Sequence, residues 1–344
     1  MFTPVVRRVI VAAIAGVTTI GLAAGPASAA TKPVIRLAGS DRIGTSIAIS
    51  THEFPTAHAA KNVILTAAFT FADAMSAGPL GKQLDAPLLL TAPTSLSSAT
   101  LTEIKRVMPT PSTTTGTTTS GCATTPPANA VYVIGGVAAI AASVNTTLNA
   151  AGFNVVRLAG TDRFGTSVAV AQCEGSPTTV FLATGEIFAD ALAAGPAAAS
   201  KGGSVLLTAG SVLPSSVSTY LAGLTSPTVY AVGQPAHLAD PSATPIVGGD
   251  RFATAALVAT QFFPSPTVVG VATGANFPDA LAGGAYMGRI GRPVLLTTPN
   301  TLYSATSLYI AQNHTTLTHA YLFGGTATLF PLVATQTSTV LNQS

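Results

Sequence analysis

The chain is 344 residues long, 48% hydrophobic and only 8% charged, with a formal net charge of +3. Such apolar content excludes a disordered chain, because it can bury a large core. The basic residues form no stripe, which excludes a nucleic-acid binder, and the scarcity of Lys and Glu fits an extracellular protein better than a cytosolic one.

Residues 1–30 have the layout of a secretory signal peptide: Arg7 and Arg8, an apolar run from Val9 to Gly25, and the small-residue cleavage site Ala27-Ser28-Ala29. An uncleaved anchor is the competing reading, but no stop-transfer pattern follows. Later apolar runs are all broken by Gly, Pro or Asp. Without Arg7 and Arg8 the chain keeps 13 basic residues against 12 acidic ones, so the exported protein is close to neutral.

Beyond the signal, Val34 to Gly39 reads as a strand and Asp41 heads a helix to about Thr51. Val63 to Leu65 is a second strand, followed by a helix from Ala72 to Leu84. Pro87 to Leu90 is a short apolar strand, and Ser97 to Val107 has a helical period. Val131 to Ile134 is a fourth strand and Ala138 to Ala151 a closing helix. Short apolar strands alternating with helices predict an open α/β unit with a parallel-type sheet covered on both faces.

That unit is written three times. GSDRIGT from Gly39 returns as GTDRFGT from Gly160 and GGDRFAT from Gly248. FADA from Phe71 returns from Phe188 and, as FPDA, from Phe277. PLLLT, SVLLT and PVLLT end at Thr91, Thr208 and Thr297, each 18 residues after the FxDA aspartate. VYVIGG, VYAVGQ and AYLFGG then close the units at Gly136, Gln234 and Gly325. Four marks in one order define a tandem array, with repeat 1 over 31–150, repeat 2 over 151–242 and repeat 3 over 243–344. Repeat 1 is the longest, because a Thr/Pro-rich stretch, 109–129, precedes its fourth strand. It reads as a flexible surface loop, either a tolerated insertion or a carrier of O-linked sugars.

All four marks follow strands, so in an open α/β sheet they converge at the carboxyl edge, where such sheets bind ligands. Six of the eight aspartates belong to them: Asp41, Asp73, Asp162, Asp190, Asp250 and Asp279. With Arg42, Arg163, Arg251, Thr91, Thr208 and Thr297 they are the candidate binding residues. A structural role competes. Asp41, Asp162 and Asp250 can be helix N-caps, Arg42, Arg163 and Arg251 can pair with Asp73, Asp190 and Asp279, and the glycines can serve tight turns.

Cys122 and Cys173 are the only cysteines. An oxidising compartment lets them form a disulfide, with two free thiols the other state. No HExxH, GxSxG or Walker loop is present. The histidines His52, His58, His237, His314 and His319 lack metal-ligand spacing, so neither enzyme, metal nor cofactor is expected. A glycan hydrolase using the aspartate edge is a remaining alternative, as is a structural or adhesive surface protein that displays the Thr/Pro-rich loop.

The series LAGxDRxxT, FxDALxAGP, PxLLT and a hydrophobic GG strand resembles the cell wall-binding type 2 repeat family of Gram-positive surface proteins, over nearly the whole chain from Pro33. The resemblance implies three open α/β repeats of Toprim-like arrangement, packed as a pseudo-threefold triangle. It also implies noncovalent attachment to an anionic secondary polymer of the cell wall. Relatives often carry a separate hydrolase or adhesin domain, for which no room is expected here. The family's proline-aliphatic-Leu-Leu motif, implicated in attachment, maps to Pro87–Leu90 and Pro293–Leu296, whereas repeat 2 has Ser204 for the proline. The DxD acids of a Toprim metal site are missing. Pro245 replaces the arginine found at Arg36 and Arg157, and Ala253 replaces Gly44 and Gly165. Near-neutrality is awkward for a polyanion ligand, so Arg42, Arg163, Arg251, Arg289 and Arg292 are expected to cluster if they supply the contacts.

Overall fold

A computed structural model describes residues 31–111, 115–122, 127 and 129–343. The signal peptide expected at 1–30, and part of the Thr/Pro-rich stretch, lie outside the described residues. Repeat 1 runs β1 (Val34–Leu37), α1 (Arg42–Glu53), β2 (Val63–Ala67), α2 (Gly78–Leu84), β3 (Leu88–Thr91), α3 (Ser98–Val107), β4 (Thr118–Ser120), β5 (Ala130–Ile134) and α4 (Ala142–Ala150). Repeat 2 follows with β6 (Asn154–Leu158), α5 (Arg163–Glu174), β7 (Thr179–Thr184), α6 (Ala189–Lys201), β8 (Ser204–Thr208), α7 (Ser215–Ala222), β9 (Thr228–Val232) and α8 (Gln234–Ala239). Repeat 3 has β10 (Thr244–Ile246), α9 (Arg251–Phe262), β11 (Val268–Thr273), α10 (Pro278–Arg289), β12 (Val294–Thr297), α11 (Ser304–Gln312), β13 (His319–Phe323) and α12 (Pro331–Leu341).

These strands form three sheets, in the orders β3-β2-β5-β6-β4, β8-β7-β9-β10 and β12-β11-β13-β1. Every strand pair among them is parallel. The alternating α/β reading holds, with one correction: the first strand of each repeat completes the sheet of the repeat before it. The reason is local. A fourth strand, its helix and the next strand form one short β-α-β crossover, which lays the two strands side by side. The ring closes on itself, since β1 pairs with β13 from Val34 opposite Ala320 to Leu37 opposite Phe323.

The FxDA helices α2, α6 and α10 pack against one another at the centre. Their small residues permit it: a Cβ added to Gly78 would lie 3.3 Å from the Gly195 Cα, and one on Gly288 3.3 Å from the Pro196 Cα. In repeat 1 the expected helix from Ala72 is divided into a single 3-10 turn, Ala74–Ser76, and α2. The central strands β2, β5 and β11 are buried on both faces, as their continuous apolar runs require. Apolar side chains shared between repeats form the largest buried cluster, running from Leu37 to Phe323.

The described part of the Thr/Pro-rich stretch is not all loop. Its residues Thr118–Ser120 are β4, an edge strand beside β6. Threonine suits extended backbone, and the Asn154 side-chain oxygen accepts from both the Thr117 N–H and hydroxyl at 3.1 Å. Cys122 is joined by a disulfide to Cys173 in the last turn of α5, with Cα atoms 5.0 Å apart.

Candidate functional site

Each GxDR loop is built by its own short side chains. Asp41 and Asp162 accept from the N–H of Gly44 and Gly165 at 2.7 Å, and Asp250 accepts from Phe252 and Ala253 at 2.9 and 2.8 Å. These three are therefore helix N-caps, still exposed to solvent. The hydroxyls of Thr45, Thr166 and Thr254 accept from the first glycine N–H of each motif at 3.1–3.2 Å, closing the loop.

The arginines correct one expectation. Arg42, Arg163 and Arg251 do not form ion pairs with the FxDA aspartates of their own repeats. Their guanidinium groups donate to the carbonyls of Ala68, Gly185 and Gly274 at 2.9, 2.6 and 2.7 Å, just past the second strand of the same repeat. Each thereby uses one of five donors. Arg42 also lies over the Phe69 ring at 4.9 Å, and Arg251 over Phe188 at 5.6 Å.

Each FxDA aspartate instead faces the GxDR loop of the next repeat, because that repeat's first strand shares its sheet. Asp73 meets Asp162, Arg163 and Thr166 in a cleft of about 350 Å³. Asp279 meets Asp41, Arg42 and Thr45 in one of about 260 Å³. Burial raises the Asp73 carboxyl, against the pull of the Thr166 hydroxyl and the Arg163 charge. Asp279 is likewise raised by burial, and drawn back by Thr45, Arg42 and Thr328. Asp190, beside Arg251, is pushed by burial to about 6.

The glycine that ends each fourth strand lies against the FxDA carboxylate. Gly135, Gly233 and Gly324 have φ of +112°, +85° and +114°, and a Cβ there would lie 2.8, 2.1 and 2.4 Å from the carboxylate oxygens of Asp73, Asp190 and Asp279. Only glycine satisfies both conditions. Arg36 and Arg157 brace two of these turns, donating to the carbonyls of Gly324 and Gly135 at 2.7 Å. Pro245 cannot do so, and it is tolerated because β10 is an edge strand.

Phe71, Phe188 and Phe277 meet as a triangle with ring centroids 5.7, 5.8 and 6.2 Å apart. Each stands two positions before its aspartate, a reach of about 7 Å at most. The two clefts and the Asp190–Arg251 boundary therefore ring this aromatic cluster, which marks the pseudo-threefold axis.

Other predicted residues lie elsewhere. Thr91, Thr208 and Thr297 are fully buried. Their hydroxyls donate to the carbonyls of Ser95, Gly210 and Thr301 at 3.2, 2.8 and 2.8 Å, shaping the loops that follow. Pro87 and Pro293 are buried at the opposite, amino-terminal end of the sheet. What these five do for a ligand passes through the backbone they hold. The expected cluster of five arginines is also corrected. Arg289 ends α10 and pairs with Glu53 and Asp85, while Arg292 bonds the Gly291 carbonyl, both away from the GxDR loops.

The chain matches the family described as cell wall binding domain 2 (CWB2) over residues 36–145, 157–241 and 246–333. It is 26% identical over 317 residues to the N-acetylmuramoyl-L-alanine amidase LytC of Bacillus subtilis (strain 168), covering 90% of this chain and 59% of that protein. It is 31% identical over 179 residues to the Amidase enhancer of the same organism, covering 52% of this chain and 22% of that protein. Among solved structures, Cwp6 from Clostridium difficile aligns with a TM-score of 0.78 at 21% identity, over 91% of this chain and 48% of that one. Cwp8 from Clostridium difficile aligns with a TM-score of 0.76 at 22% identity, over 90% and 52%. Three matched segments laid on three sheets that close into one ring show that the chain belongs to the cell wall binding domain 2 family.

Proposed function

We propose that this chain is an exported, non-catalytic attachment protein that grips an anionic secondary polymer of the cell wall through its three repeat boundaries. The observation that carries the reading is the recurrence, at all three repeat boundaries around a single axis, of one arginine and one aspartate beside a left-handed glycine, with a cleft at two of them. A repeating polymer offers the same group many times. Three weak sites on one body gain about 10²–10⁴ in avidity without any tight single site. Guanidinium donors left over after the carbonyl bond suit phosphate or carboxylate oxygens. Phe69, 57% exposed beneath Arg42, adds a flat apolar surface for a sugar ring.

Cosedimentation with purified walls tests this reading. Binding is expected to fall steadily as salt rises from about 0.05 to 0.5 M, since exposed ionic contacts are screened over that range. Salt-independent binding contradicts the ionic part. Release of soluble wall fragments or new reducing ends in the same tubes contradicts the non-catalytic part. The catalytic activity named for LytC belongs to a protein of which this chain spans 59%.

A further inference from the structure

At the end of the repeat ring opposite the clefts, the last turn of each GxDR helix meets the last turn of the preceding repeat's FxDA helix. Two of these junctions are filled differently. Between repeats 3 and 1, Arg289 pairs with the Glu53 carboxylate, donates to Asp85 at 2.8 Å and lies over the Phe54 ring at 4.6 Å. Between repeats 1 and 2, counting from the motif aspartates, Glu174 stands where Glu53 stands, but Gln83 replaces Arg289, Gly202 replaces Asp85 and Gly175 replaces Phe54. Carboxylate retained, cation and filling removed: a pocket of about 360 Å³ remains, lined by Pro79, Lys82, Gln83, Glu174, Ala199 and the Gly202-Gly203 turn.

Both carboxylate oxygens of Glu174 are buried without a hydrogen-bond partner, as is the neighbouring Ser204 hydroxyl. Burial pushes this carboxyl up to about 8. The Ser204 hydroxyl and the Leu80 N–H pull the other way, though neither closes a hydrogen bond of good geometry. Lys82 lines the pocket yet forms no ion pair with Glu174. The helices α5 and α6 both end here, and their carbonyl ends favour positive charge. The Cys122–Cys173 disulfide and a 3.4 Å bond from the Gln83 amide to the Cys173 carbonyl hold the carboxylate's backbone in place.

We infer that this pocket is a binding site for an organic cation, a guanidinium or primary ammonium group on a narrow stem, which takes the place that the Arg289 side chain fills in the equivalent junction. To meet the ligand's N–H groups the Glu174 carboxylate turns from its buried position into the pocket, and the ligand's stem lies along Pro79 and Ala199. The site is independent of the polymer clefts, being at the other end of the sheets.

The test is an amide chemical-shift titration of the full chain at about pH 8.5, where the Glu174 carboxyl is mostly ionised, with methylguanidinium and with ethylammonium. Saturable shifts are expected at Gln83, Gly202 and Gly203. Glu174→Gln should weaken binding by about tenfold or more, the loss expected for a charge-assisted pair. Gln83→Arg, which rebuilds the filled junction, should abolish binding and raise the thermal midpoint. Lys82→Ala should tighten binding by removing a competing cation. An absence of saturable shifts in the unmodified protein, binding indifferent to both Glu174→Gln and Gln83→Arg, or binding lost in Lys82→Ala overturns the proposal.

Discussion

Three buried acids give the protein an unusual response to pH. Unfolded, the Glu53 and Glu174 carboxyls release their protons near 4.5, but folded they keep them to about 7 and about 8. Asp190 moves from 3.8 to about 6. At these three groups the folded chain holds more protons than the unfolded one between about pH 4 and 8, so their contribution to stability falls as pH rises through that window. The thermal midpoint should drop from pH 5 to pH 8.5, and Glu174→Gln should flatten the upper part of the drop; a midpoint rising over this range contradicts the assignment. At Gly324, alanine meets both a left-handed backbone and the Asp279 carboxylate. Gly324→Ala should cost about 1–3 kcal/mol in denaturant unfolding, and a neutral result would remove the steric account of the GG turn. Much at this scale was legible beforehand: the N-caps at Asp41, Asp162 and Asp250 follow from short acids at helix starts. Glu174 was not singled out, because its meaning appears only when the positions of Glu53, Glu174 and Phe262 are compared across repeats and their neighbours are known.

Long hydrophobic runs mark their elements clearly in the sequence; composition alone marks them less well. The alternation of strand and helix followed from pattern, whereas a Thr/Pro-rich stretch looked like loop although Thr118–Ser120 extends a sheet. Nothing local distinguishes those threonines from their neighbours; the free edge of β6 and the tether to α5 decide it. The Cys122–Cys173 bond closes a sequence separation of 51 residues. Its reduction should lower stability by about 2–4 kcal/mol, read as a shift in denaturant midpoint. An unchanged midpoint would mean that β4 and the pocket behind it stand without the tether.

At the scale of the whole molecule, periodicity revealed three units but not how they exchange strands, because pairing between distant segments leaves no mark in a single sequence. That exchange moves each FxDA aspartate to a boundary between repeats and makes the clefts products of the closed ring. Removing residues 31–38 deletes β1 and the Arg36 brace on Gly324, and exposes the β13 edge. Such a chain should unfold at lower temperature and self-associate; a midpoint equal to that of the intact chain contradicts ring closure as a source of stability. The most direct test of the clefts as the polymer-gripping surface is wall cosedimentation of Arg42→Gln, Arg163→Gln and Arg251→Gln, singly and combined, with folding verified by circular dichroism. Each single change should weaken binding modestly and the triple variant should lose it by about 10² or more; a folded triple variant that sediments like the unmodified protein would contradict the account.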